Sequence, residues 1–62
     1  MNPILKYFTF EHLPEKLQDI SKPFCDLANF INVVIEDSPE KSSGLRKLLE
    51  AKDCIVRAAI DN

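Results

Sequence analysis

Asp37-Ser38-Pro39-Glu40 constrains this chain most, because it stops one helical pattern and starts another within a few residues. Ser38 is suited to cap a helix, Pro39 to take its first position, and Glu40 to face the positive end of its dipole. Apolar residues recur at helical spacing on both sides. Upstream, Leu17, Ile20, Phe24, Leu27, Ile31 and Val34 alternate steps of three and four, an a/d-type seam. Downstream, Leu45, Leu48, Leu49, Ile55, Val56, Ala59 and Ile60 form one stripe at about 100° per residue. So short a break forces the two helices to fold back as an antiparallel hairpin. The expected architecture is all-α, with a first helix from Pro14 to Ile35 or Glu36 and a second from Pro39 to about Ile60. Pro23 removes the bond to the Asp19 carbonyl and predicts a kink in the first helix. Gly44, the single glycine, weakens the start of the second helix and permits close approach of another helix or a ligand.

Residues 1–13 read differently from the hairpin domain at 14–62. Ile4, Leu5, Tyr7, Phe8 and Phe10 stand close together with Thr9 and His12, and show no helical period. Such an aromatic segment predicts an extended arm or short strand.

A chain of 62 residues has no room for a dinucleotide-binding half, a barrel or a sandwich. It buries only about 60% of its unfolded surface, so a lone hairpin is marginal and homo-oligomerisation is expected. Phe30 and Val33 lie off the seam, and Lys52 points into the apolar stripe of the second helix. These three form the expected oligomer interface, although the Lys52 stem can equally lie along apolar surface with its ammonium in water. The net charge of −2 has the wrong sign for a partner of polymeric DNA or RNA. A small anion held by two or three cations remains feasible.

No apolar run is long enough to span a membrane, and the first residues lack a secretory pattern. Two cysteines in such a chain read as reduced thiols, which predicts a cytoplasmic location. His12 has no second histidine at metal spacing, and neither Cys25 nor Cys54 has a neighbouring histidine or CxxC partner. No nucleophile, base and oxyanion hole assemble, so the expectation is a non-enzyme without metal or cofactor.

Binding chemistry has several candidate carriers. Gln18, Ser21, Lys22, Cys25, Asn29 and Asn32 line one flank of the first helix as amide, hydroxyl and thiol groups around one cation. Amides can read the edges of nucleobases and Lys22 can neutralise a phosphate. On the outer face of the second helix, Arg46 with Glu50 and Asp53 with Arg57 are spaced to pair. The two arginines can instead fork a phosphate. The arm aromatics can stack on a planar ligand.

The run Ser42-Ser43-Gly44-Leu45-Arg46-Lys47-Leu48-Leu49-Glu50-Ala51-Lys52-Asp53-Cys54-Ile55-Val56-Arg57-Ala58-Ala59 resembles the small helical-hairpin domain of phage anti-defence sponges, the family shared by anti-CBASS and anti-Thoeris proteins. Phe10-Glu11-His12-Leu13-Pro14 and Asp26-Leu27-Ala28 are similar to the same pattern, so the resemblance spans roughly Phe8 to Ile60. It implies a non-enzymatic homo-oligomer, often a hexamer, that acts in the cytoplasm of an infected bacterial cell. Its ligands would be cyclic oligonucleotide or cyclic ADP-ribose-type immune signals, kept from their effectors. Asn29 of the polar flank can reach an edge of the base. Carried onto this chain, the stacking aromatic is Tyr7, Phe8 or Phe10, and the first-helix cation is Lys22. The second-helix cation is Arg46 or Arg57. The alternative from another class is a protein–protein interaction or regulatory module docking through Phe30, Val33 and Lys52 with no nucleotide ligand. A DNA-binding regulator is disfavoured by the acidic balance and the lack of a basic recognition helix.

Overall fold

Ser38 does what its position predicts. Its Oγ accepts a hydrogen bond from the Lys41 backbone N–H at 3.1 Å, and its carbonyl accepts one from Ser42 at 3.1 Å. That cap launches α2 (Pro39–Asp61) in the computed structural model, which describes residues 3–61. Met1 and Asn2 of the expected arm and Asn62 of the hairpin domain lie outside the described residues. Pro14 stands just ahead of α1 (Glu15–Val34), its carbonyl accepting from Leu17 at 2.8 Å and Gln18 at 3.0 Å. The helix runs without interruption through Pro23. It stops where Ile35 turns extended and donates its N–H to Ile31 at 3.0 Å.

The molecule measures 36 × 18 × 15 Å. At about 1.5 Å per residue α2 alone accounts for nearly that length, so α1 lies alongside it rather than end to end. Residues 35–38 connect them, and the chain is all-helical across the described residues.

The aromatic segment departs from the expected extended arm: Pro3–Phe8 is a 3-10 helix. The physical reason lies in Leu5 and Phe8. At about three residues per turn they stand one above the other, so the coil aims both at the hairpin. Phe8 becomes fully buried with Ala28 and Leu45, and Ile4, Leu5, Phe24 and Cys25 pack around them. The Lys52 ammonium donates to the Tyr7 carbonyl at 2.7 Å and ties the coil to α2.

This insertion also rotates α1 away from its expected seam. The fully buried positions on α1 are Ser21 and Ala28, displaced by about 80° from the mean direction of Leu17 to Val34 at about 100° per residue. Two small side chains one heptad apart make room for the Phe8 ring and let α2 approach. The consequence is that Leu27 is 46% exposed and Val34 is exposed as well. The expected α2 stripe is likewise only half internal: Leu45 is buried, whereas Ile55 and Ile60 are exposed.

Lys41 completes the turn. Its side chain is buried, and its ammonium donates to Asn32 O at 3.1 Å, Ile35 O at 2.7 Å and Asp37 Oδ1 at 2.9 Å. The last carbonyls of α1 carry the negative end of the helix dipole, and a cation there satisfies both hydrogen bonding and charge. The same contact holds the Asp37 carboxyl below its usual range, through the hydrogen bond first and the charge second.

Candidate functional site

Where the 3-10 helix crosses α2 it leaves a cavity of about 350 Å³ lined by Pro3, Ile4, Lys6, Tyr7, Ser42 and Arg46. Backbone geometry places each polar group. Ser42 and Arg46 are four apart and share one face of α2. Lys6 and Tyr7 are brought over that face because Phe8 is plugged into the core behind them. The Lys52 bond fixes the Tyr7 backbone, and Tyr7 as a residue is 55% exposed. Lys6 Nζ sits 5.2 Å from the centroid of the Tyr7 ring.

Among the described residues, neither Lys6 nor Arg46 has a carboxylate partner. The expected Arg46–Glu50 and Asp53–Arg57 pairs do not form. Asp53 turns to Lys52 at 3.5 Å, and Arg57 Nη2 donates to Cys54 Sγ at 3.4 Å. Two cations, an aromatic face and a hydroxyl therefore converge with their donors uncommitted to acids. Such a set can hold an anion and stack a flat ring.

The structure brings together Tyr7 and Arg46 of the residues singled out in the sequence. It removes Phe8, which is at the centre of the core and cannot stack on a ligand. Phe10 is half-buried in the turn ahead of α1, its carbonyl accepting from Leu13 at 3.0 Å. Lys22 lies on the α1 surface, 3.7 Å from Asp26. Asn29 donates to Cys25 O at 2.9 Å and to its Sγ at 3.4 Å. Gln18 reaches back to Leu13 O at 2.7 Å and Glu11 O at 3.3 Å. The polar flank of α1 is thus largely engaged in holding its own turn and helix. Arg57 lies outside the cavity, and Lys52 serves the Tyr7 carbonyl. Phe30 and Val33 are exposed, Val33 to 81%.

Lys6 and Ser42 were missed by sequence reasoning. Their signal was present in the four-residue spacing of Ser42 and Arg46 and in the cation next to Tyr7, but an extended arm would have scattered it. Cys25 is pushed up from its usual range, by burial first and then by Asp26 and Glu11, so it stays a protonated thiol. Among the described residues no three potential metal ligands gather, and no helix is long and apolar enough to cross a membrane. No family model matches this chain, and neither a curated protein nor a solved structure does.

Proposed function

We propose that this chain is a non-enzymatic binder that sequesters a small anionic nucleotide, a cyclic oligonucleotide or cyclic ADP-ribose-type signal, and does so as a homo-oligomer. The observation that carries the reading is the grouping of Lys6, Tyr7, Ser42 and Arg46 around one cavity between the 3-10 helix and α2. Its about 350 Å³ lies at the lower end of ligand pockets and suits one nucleotide unit. A cyclic dinucleotide would need two such half-sites, which an oligomer supplies. The acidic net charge fits a ligand met by a few placed cations rather than by a basic surface. The resemblance to anti-defence sponges agrees with this chemistry and supplies the ligand class.

The test is titration calorimetry with a panel of cyclic di- and trinucleotides and cyclic ADP-ribose isomers. Arg46→Glu should abolish binding with helicity unchanged, and Tyr7→Ala should cost about 1–3 kcal/mol of affinity. Loss on Lys22→Glu, with Arg46→Glu still binding, would move the ligand to the α1 flank beside Asn29. No binding by the parent to any member would favour the module that docks a protein through the exposed Phe30 and Val33.

A further inference from the structure

The hairpin has two broad sides, and the 3-10 helix covers one of them. The other carries Leu27 and Val34 of α1 beside Gly44, Leu48 and Ile55 of α2, and holds an apolar cavity of about 590 Å³ at its turn end. On α2 these residues belong to a second seam, Gly44-Leu48-Ala51-Ile55-Ala58, in alternating steps of four and three. Small side chains alternate with branched ones, and none of the five is charged. Above Gly44 an added Cβ would meet nothing within 4 Å.

We infer that this uncovered side is where a second copy of the chain packs, α2 against α2, antiparallel about a two-fold axis near Ala51. The seam is complementary to itself under that operation. Gly44 falls opposite Ala58 of the second copy, Leu48 opposite Ile55, and Ala51 opposite itself, so each small residue receives backbone and each branched one fills the gap beside it. Leu27 and Val34 close the flanks of the resulting four-helix bundle. The scale is right. A side 36 Å long and 15 to 18 Å wide projects roughly 540 to 650 Å², near the low end of the range for a standard interface, about 600 to 1,000 Å² per partner. The chain exposes 4525 Å², against about 4,100 Å² expected for a compact 7.1 kDa monomer. A membrane surface fits less well, because Glu40 stands with Lys47 around the cavity on this side, and a border of mixed charge is not the basic one that anionic lipid attracts.

This rests on the homo-oligomer part of the proposed function and not on its ligand. Light scattering with analytical ultracentrifugation at micromolar concentration should find the parent as a dimer or a multiple of it. Ala51→Glu should weaken association at least tenfold, because two carboxylates meet at the axis; Gly44→Gln should do so by filling the space above the glycine. Both positions are exposed within one chain, and circular dichroism of the variants reports that the helices persist. Mixing the Ala51→Glu and Ala51→Lys variants should restore the dimer as a mixed species, which only self-opposition at position 51 produces. Val33→Glu and Arg46→Glu should leave association unchanged, and Arg46→Glu separates a failure of the ligand reading from a failure of this one. A monomeric parent, a dimer that survives Ala51→Glu, no rescue on mixing, dissociation by Val33→Glu, or sedimentation of the parent as a monomer on phosphatidylcholine or phosphatidylserine vesicles would each overturn the inference.

Discussion

Both sides of the hairpin carry large apolar residues, and they have opposite fates. On one, Ile4, Leu5 and Phe8 fold over the helices and bury Ala28 and Leu45 completely. On the other, Leu27, Val34 and Ile55 remain about half exposed. The difference comes from one short coil. Six residues can cover only one side of a two-helix layer, and a side with small residues at Ser21 and Ala28 has the depth to receive an aromatic ring. Burial follows where the cover lands more than where the apolar residues are.

Breaking the covered side should have the larger effect. Phe8→Ala removes the largest fully buried side chain and should cost about 3–5 kcal/mol, enough to unfold a domain of this size at ordinary temperature. Urea melts followed by circular dichroism measure it. If Ile55→Ala costs as much under conditions where the chain is monomeric, the two sides are not different in the way described. Ser21→Ala sharpens the same contrast from the other direction. The Ser21 hydroxyl is buried with no hydrogen-bond partner among the described residues. Removing it should raise stability by about 1 kcal/mol, visible as an increased melting temperature.

The smallest effect belongs to the turn that joins the sides. Because the folded-state pKa of Asp37 is depressed by Lys41, its contribution is present above the unfolded value of about 4 and is lost as pH falls through the lower folded value. A pH series of melts should show that loss in the acid range, and Asp37→Asn should flatten it by lowering stability slightly at neutral pH, to the level the parent reaches in acid. An unchanged acid limb in the variant would mean that the Lys41 contact does not respond to protonation.

The helix limits were legible in the sequence because capping is a local matter. Ser38, Pro39 and Ile35 need only their immediate neighbours to act, and α2 begins at the expected residue. The side on which each helix is buried was not legible, because it depends on Phe8 meeting Leu45, far along the chain. A 3-10 helix of six residues gives too few turns for a period to show, so Pro3–Phe8 reads as irregular aromatics. Of the candidate site, Tyr7 and Arg46 could be named from their chemistry. Their conjunction with Lys6 and Ser42 required knowing that the coil lies across α2. Lys52 was visible as an anomaly on an apolar stripe, but its tie to the coil is a backbone carbonyl, which no side-chain pattern announces.

The bond from Lys52 to the Tyr7 carbonyl joins residues 45 apart in a sequence of 62. Synthesis delivers Phe8 ahead of its complete seat: Phe24, Cys25 and Ala28 of α1 follow first, but Leu45 and Lys52 must also leave the ribosome before the coil can dock fully. Until then the emerging chain carries an exposed aromatic segment, whereas the α1–turn–α2 contacts close over short separations and can form quickly. Full docking of the 3-10 helix should therefore complete late in folding and be lost early in opening. The cavity of Lys6, Tyr7, Ser42 and Arg46 exists only while that step is complete, so a ligand seated there would slow release of the N-terminal segment and shield its backbone amides from hydrogen exchange before it affected those of α2.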